Sequence, residues 1–131
     1  MKALLILAHG SRKKESNDEV MALAKDLDSS GRSGYDRVLC AFNQFSDPSA
    51  ESQIEALAAM GASRVTVLPY FIAGGSHVVS DIPELVREAS QKYPSIAFHI
   101  TAHFGAFKGV RDLIVHELSM VDRNKRKSVR I

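Results

Sequence analysis

Short apolar runs alternate with amphipathic stretches four times along the chain, and this repetition constrains the fold more than any other feature. The runs are continuous rather than alternating, which is typical of strands covered on both faces of a sheet. They occupy residues 3–8, 37–42, 64–70 and 96–101. Four β-α units predict a parallel sheet that carries helices on both faces.

Helical spacing and end signals locate the four helices. The first covers about residues 15–27, with Val20, Leu23, Ala24 and Leu27 on one face. The second begins with Asp47 as N-cap and Pro48 at the first helical position, and ends at Gly61. The third begins at an apparent capping box of Asp81 and Glu84 and reaches about residue 93. The last covers about residues 107–121, with an apolar stripe of Val110, Leu113, Ile114 and Leu118.

These elements predict a flavodoxin-like α/β fold, a three-layer sandwich with a four-stranded parallel sheet of order 2-1-3-4. We expect residues 1–121 to form a single domain and residues 122–131, which carry a net charge of +4, to form a basic tail. In such sheets, ligands bind beyond the carboxyl ends of the strands, where the strand order reverses. That switch point lies between strands 1 and 3.

Composition excludes several classes of protein. No apolar run approaches the ~20 residues that a membrane span needs, and the opening MKALLILAHGS lacks a cleavage site, so we predict a cytoplasmic protein with a buried first strand. The single cysteine, Cys40, lies in an apolar run and is predicted to be a buried, inert thiol. The basic tail has no aromatic platform or recognition helix beside it, so we expect no nucleic-acid partner and no membrane.

Two histidines are expected at the predicted switch point. His9 ends the first strand, and His77 lies in the loop after the third. Neutral imidazole binds Co²⁺, Ni²⁺, Fe²⁺ or Zn²⁺, and it accepts protons near physiological pH. A closed structural zinc site wants four protein ligands, so two histidines fit an open, exchangeable site better.

The loops around these histidines are suited to bind anions. Gly74 and Gly75 permit turns that expose backbone N–H groups, and Ser11, Arg12 and Lys13 follow His9. A tight turn with a solvated charge cluster is the alternative interpretation. His103 follows the fourth strand and is a third candidate at the same rim, whereas His99 and His116 are predicted to be structural or exposed.

Several sharper motifs are absent. The sequence has no G-x-x-x-x-G-K-[ST] motif, which disfavours a P-loop NTPase. It also has no G-x-S-x-G elbow, which disfavours a serine hydrolase of the α/β class. A flavodoxin-like binder of phosphate or nucleotide stays open as an alternative function. It explains Gly74 and Gly75 but gives the two histidines no role.

Three segments, LLILAHGSR, AFNQFSDPS and VLPYFIAGGSHVVSDIP, resemble the sirohydrochlorin chelatases of the CbiX/SirB family. The most specific part is the pair formed by His-Gly-Ser and Gly-x-His-x-x-x-Asp-Ile-Pro, the latter at residues 75–83. The resemblance implies a chelatase-like α/β fold and an enzyme that inserts cobalt, or else iron or nickel, into sirohydrochlorin for cobalamin or siroheme synthesis. The metal ion is then a substrate, and no cofactor is permanently bound.

The resemblance also implies residue roles and an assembly. It makes His9 and His77 the metal-binding and catalytic residues. Residues of the loops described above are then the expected substrate-binding residues around the tetrapyrrole: Ser11, Arg12, Gly74, Gly75, Ser76 and His103. Short members of the family form homodimers with the tetrapyrrole between subunits.

One residue departs from the family pattern. The family often has glutamate where this sequence has Gln44, and glutamine can neither accept a proton as a base nor supply negative charge. Because strand 2 lies beside strand 1 in the predicted order, we expect Gln44 near His9 and count it among the substrate-binding residues. A non-enzymatic tetrapyrrole or metal carrier of the same fold is the alternative function.

Overall fold

The computed structural model describes residues 1–76, 80–121 and 123. Four strands and four α-helices alternate in this part of the chain, with a short 3₁₀ helix before the last α-helix. In chain order they are β1 (Lys2–Ala8), α1 (Lys14–Ser30), β2 (Arg37–Phe42), α2 (Ala50–Ala59), β3 (Arg64–Pro69), α3 (Ile82–Lys92), β4 (Ala97–Ile100), the 3₁₀ helix (Phe104–Ala106) and α4 (Val110–Val121).

The strands form one parallel sheet in the order β2-β1-β3-β4, which confirms the predicted fold class and topology. β1 is central, and its Leu5 pairs with Leu39 of β2 on one side and Val67 of β3 on the other. Because helices cover both faces of the sheet at β1, a continuous apolar run is favoured there, and residues 3–8 are all buried.

Alternate residues of the sheet enter two separate cores. Leu5 and Leu7 of β1 point to one face, where they pack with Ile54 of α2 and Ile82 of α3. Leu4, Ile6 and Ala8 point to the other face, where they pack with Ala24 of α1. The two layers of helices therefore hold β1 from both sides and fix the position of the residues that follow it.

One predicted helix start is wrong, and one predicted capping box does not form. α2 begins at Ala50 with Ser49 as N-cap, whose hydroxyl accepts a hydrogen bond from the Ser52 N–H at 3.2 Å. Asp47 and Pro48 lie outside the helix because the Pro48 carbonyl is used by β2, where it accepts the Phe42 N–H at 2.9 Å.

At the start of α3, Asp81 has helical backbone angles and makes no side-chain capping bond, so no capping box forms. The other proposed member, Glu84, forms an ion pair with Arg87 one turn later instead.

The second layer is incomplete over β3 and β4. α4 has no buried residue, and Leu113, Ile114 and Leu118 of its predicted apolar stripe are 50%, 52% and 63% exposed. On the face of the sheet that α1 covers over β1 and β2, Ala97 and His99 of β4 are exposed. We call this surface of β3 and β4 the open half-sheet. A helix that crossed back over β4 would cover it, but α4 does not.

In the part of the chain that the structure describes, no helix is both long and apolar enough to cross a membrane. Of the predicted tail at residues 122–131, only Arg123 falls within the described residues.

Candidate functional site

The carboxyl end of β1 presents His9 to solvent. His9 follows the last, buried residue of the strand, Ala8, and is itself exposed. Its carbonyl accepts a hydrogen bond from the Gln44 N–H at 2.9 Å, so the segment after β2 lies directly beside it. Its ring meets Phe71, which follows β3, edge to face with 6.1 Å between centroids. His9 thus lies between the ends of β2 and β3, at the reversal of strand order.

Close packing makes Gly10 necessary in this turn. Its φ is +89°, and a Cβ at this position would lie 1.8 Å from the Gln44 carbonyl oxygen. Both the left-handed backbone and the contact exclude larger residues. The His9–Gly10 backbone and the Gln44 segment are therefore held in contact with each other.

Asn17 of α1 holds the same turn through two hydrogen bonds, and sequence reasoning did not identify it as a site residue. Its side-chain oxygen accepts the Ser11 N–H at 2.9 Å, and its amide donates to the Ser11 carbonyl at 2.7 Å. Asn17 is only 7% exposed. The signal was present in the sequence, because Asn17 precedes Val20, Ala24 and Leu27 at helical spacing on a face that is otherwise apolar.

The segment after β4 packs against the loop after β3. The Gly105 N–H donates to the Phe71 carbonyl at 2.9 Å, and a Cβ on Gly105 would lie 1.6 Å from the Ile72 carbonyl oxygen. The ring of His103 lies close to Gly74, since a Cβ built on Gly74 would lie 3.4 Å from the Cε1 atom of the ring. His103 therefore lies beside the glycine loop that leads to residue 77.

The remaining predicted site residues divide into described and undescribed ones. Gly75 and Ser76 are exposed in the same loop. His77 lies outside the described residues, so its position relative to His9 stays a prediction. Within residues 1–76, 80–121 and 123, no three His, Cys, Asp or Glu side chains lie together as a metal site.

Cys40 is buried and free, as predicted. Burial raises the pKa of its thiol, which disfavours the reactive thiolate. His99 in β4 and His116 in α4 are both exposed and lie on other elements than the strand ends around His9.

Phe45 is a second residue near His9 that sequence reasoning missed. It follows Gln44, is 57% exposed, and has a φ of +62°, a conformation that costs a side-chain-bearing residue about 1–2 kcal/mol. The guanidinium carbon of Arg12 lies over its ring, 4.8 Å from the centroid. No sequence pattern identifies this pair, because it forms between loops that follow different strands.

These features define a class of protein: an α/β sandwich with its candidate site at the carboxyl ends of a parallel sheet, where the strand order reverses. A sequence model of the CbiX family matches residues 3–121, which include every described helix and strand except for one residue of β1. The chain belongs to the CbiX family.

The similar proteins include one that matches this chain over almost its full length and others that are about twice as long. The chloroplastic sirohydrochlorin ferrochelatase of Arabidopsis thaliana is 33% identical over 126 residues, which cover 91% of this chain and 54% of that protein. The sirohydrochlorin cobaltochelatase of Sulfurisphaera tokodaii is 27% identical over 128 residues, which cover 98% of this chain and 100% of that protein.

The solved structure of the sirohydrochlorin chelatase SirB from Bacillus subtilis subspecies spizizenii in complex with cobalt is similar in fold. It matches with a TM-score of 0.76 and 28% identity, covering 92% of this chain and 51% of that one. The chain spans about half the length of several curated relatives that it matches.

Proposed function

We propose that this protein is a chelatase that inserts a divalent metal ion into sirohydrochlorin, with cobalt as the first candidate and iron or nickel as alternatives. One observation carries the proposal: in a chain of the CbiX family, an exposed histidine lies at the strand-order reversal, between the ends of β2 and β3. The names of its relatives, which include ferrochelatases and cobaltochelatases, support the reaction class and leave the metal open.

In the proposed mechanism, His9 and His77 bind the incoming metal ion as a substrate and position it beneath the macrocycle. Metallation replaces two pyrrolic N–H protons with M²⁺. A neutral imidazole can bind the ion through a ring nitrogen, and an imidazole freed of metal can take up a pyrrole proton. Holding the two reactants in contact supplies much of the rate gain.

The surrounding loops are proposed to bind the tetrapyrrole. Arg12 supplies positive charge for its peripheral carboxylates, and the loop of Gly74, Gly75 and Ser76 supplies backbone N–H groups. His103 rests against that loop. Ser11 contributes through the turn that Asn17 holds, and Gln44 contributes an uncharged amide beside His9.

The proposal includes a homodimer with the substrate between subunits. The apolar stripe of α4 and the open half-sheet support it, because a water-soluble domain rarely leaves a whole helix unburied. The two surfaces are also complementary in charge. Lys2 and Arg64 line a cavity of about 290 Å³ at the open half-sheet, and Glu117 lies within the α4 stripe. We therefore propose that a second copy's α4 covers the open half-sheet, reciprocally.

We further propose that the protein works in the cytoplasm and needs no permanently bound cofactor. The reaction as written consumes only metal ion and macrocycle and releases two protons. It requires no nucleotide, which agrees with the absence of a P-loop motif from the sequence.

Visible absorbance tests the proposed function directly. Purified protein, mixed with sirohydrochlorin and Co²⁺, Fe²⁺ or Ni²⁺ in turn, should convert the metal-free spectrum faster than the metal alone does. His9→Ala should lower this rate roughly 10²–10⁴-fold, the range expected for a positioned proton-transfer group. His116→Ala removes an exposed histidine on α4 and should leave the rate unchanged. Equal rates for wild type and His9→Ala would refute the assignment.

Gln44 favours one alternative function, a tetrapyrrole or metal carrier, because it puts a neutral amide where the family often has a carboxylate. The same assay separates the two functions. A carrier binds sirohydrochlorin or metal tightly but leaves the rate of metallation at its uncatalysed value.

A further inference from the structure

We infer that Phe45 and Arg12 form one composite contact for the substrate, in which the ring packs against the planar macrocycle and the guanidinium binds a peripheral carboxylate. The inference rests on the proposed function, since it concerns the tetrapyrrole of that reaction. It adds a specificity-determining residue, Phe45, that neither the sequence motifs nor the family resemblance identifies.

The position of Phe45 follows from backbone contacts on both sides of His9. The Gln44 N–H is bonded to the His9 carbonyl, and the Gln44 carbonyl oxygen lies where a side chain on Gly10 would be. The residue after Gln44 is therefore fixed close to the end of β1. The left-handed backbone of Phe45 (φ +62°) is unfavourable for an aromatic residue, and strain of this kind concentrates at binding sites.

The exposure of Phe45 is not explained by packing within the chain. Phe45 belongs to neither hydrophobic core, and more than half of its surface is in contact with solvent. Arg12 lies over the ring, which leaves other parts of the ring surface available to a ligand. An exposed aromatic ring in a strained conformation beside a candidate metal-binding histidine is suited to contact a flat, apolar ligand.

Arg12 gives the same contact its charge preference. Its side chain is exposed, and the structure shows no ion pair between Arg12 and any described residue. A guanidinium stacked on an aromatic ring keeps its N–H groups free at the edge, where they can form a two-pronged bond to a carboxylate. The pair thus matches a planar macrocycle with acidic side chains better than a neutral porphyrin-like ring.

Substitutions of Phe45 separate a binding role from a structural one. Phe45→Gly removes the ring and also relieves the left-handed strain, so the midpoint of thermal unfolding should stay the same or rise. KM for sirohydrochlorin should nevertheless increase roughly two- to tenfold, with little change in kcat, as expected for the loss of one aromatic contact. Phe45→Tyr should keep the KM. Met60→Ala, which trims an exposed apolar side chain at the far end of α2, is the matched control and should change neither constant.

Arg12→Gln tests the charged half of the contact. It should raise KM as well, and it should reduce the salt dependence of sirohydrochlorin binding, measured by the change in the macrocycle's fluorescence. A Phe45→Gly protein with unchanged KM and an Arg12→Gln protein with wild-type salt dependence would overturn the inference while metallation continues. If the proposed function is wrong, the result is different, because the wild-type protein itself would not accelerate the metallation of sirohydrochlorin.

Discussion

At the scale of single residues, the candidate site combines loops that follow three neighbouring strands, with His9 after β1, Gln44 and Phe45 after β2, and Phe71 after β3. His9 could be placed beside strands 2 and 3 from the topology alone, because the carboxyl ends of parallel strands share one edge. Gln44 was expected near His9 on the same argument, and a backbone hydrogen bond of 2.9 Å joins them. The Arg12–Phe45 stack was not predictable, since it depends on a left-handed residue that has no glycine or asparagine to signal it.

Gln44→Glu is the prediction that belongs to this scale. A carboxylate beside His9 can attract the metal ion and accept a pyrrole proton, so we expect the metallation rate to rise. The measurement is the initial rate with sirohydrochlorin and Co²⁺, together with Co²⁺ affinity in the absence of the macrocycle. Tighter metal binding without a faster rate would show that the histidines already suffice for proton transfer. No change in either quantity would place the Gln44 side chain outside the working site.

At the scale of elements, hydrophobic periodicity predicted the four strands and four α-helices of the described residues, with errors confined to their ends, but it did not predict the 3₁₀ helix before α4. Strand residues were identified well because β1 is buried on both faces and tolerates only apolar side chains. Helix starts were harder, since several residues before α2 can act as caps. The choice between Asp47 and Ser49 depends on the Pro48 carbonyl, which pairs with the Phe42 N–H at the end of β2. That tertiary contact is not visible in the sequence.

Ser49 and Asp47 provide a matched test of the corrected cap. Ser49→Ala removes the acceptor for the Ser52 N–H and should lower the free energy of unfolding by about 1 kcal/mol. Asp47→Ala should cost much less, because its side chain is exposed and caps nothing in α2. Urea denaturation of the two variants measures the difference. Equal losses, or a larger loss for Asp47→Ala, would restore the original assignment.

Asp28 joins the end of α1 to the start of β2 and makes stability depend on pH. The pKa of its carboxyl is lowered, mainly by the Val38 N–H, which donates to it at 2.6 Å, and further by Arg37; partial burial opposes the shift. A lowered pKa in the folded state stabilises the protein above the unfolded value, and this stabilisation is lost as pH falls through the folded value.

Asp28→Ala should therefore lower the free energy of unfolding by about 1–2 kcal/mol at pH 7, where the charged carboxylate accepts both bonds. The difference from wild type should narrow as pH falls below 3.8, the ordinary value for this carboxyl. Asp26→Ala removes an exposed carboxylate two residues away and serves as the control. Urea titrations at a series of pH values measure the effect, and a difference that stays constant with pH would show that ionisation of Asp28 contributes nothing.

At the scale of the whole molecule, the topology was predictable but the position of the last helix was not. Four β-α units fix the sheet order to a few possibilities, and the observed order is the predicted one. An apolar stripe such as that of α4 is typical of a helix face that is buried against another surface. The stripe alone does not show whether the surface that covers it belongs to the same chain or to a second copy. Because α4 contacts its own domain chiefly through the 3₁₀ helix, its apolar stripe stays available to a second copy.

The dimer is tested by two substitutions on opposite sides of α4. Leu113 lies on the apolar stripe and Val115 is about 160° away around the helix, although both are at least half exposed in the single chain. Burying each leucine contributes roughly 1.5–3 kcal/mol and the change occurs in both copies, so Leu113→Asp should weaken dimerisation at least about a hundredfold. Val115→Asp carries the same charge and should leave it intact. Light scattering across a dilution series gives the mass.

A cysteine on α4 (Leu113→Cys) and one on the open half-sheet (His99→Cys), placed in differently tagged chains, should cross-link between chains when mixed. A wild-type protein that stays monomeric at every concentration would refute the dimer. A doubly substituted chain that cross-links only within itself would show that α4 closes over its own sheet.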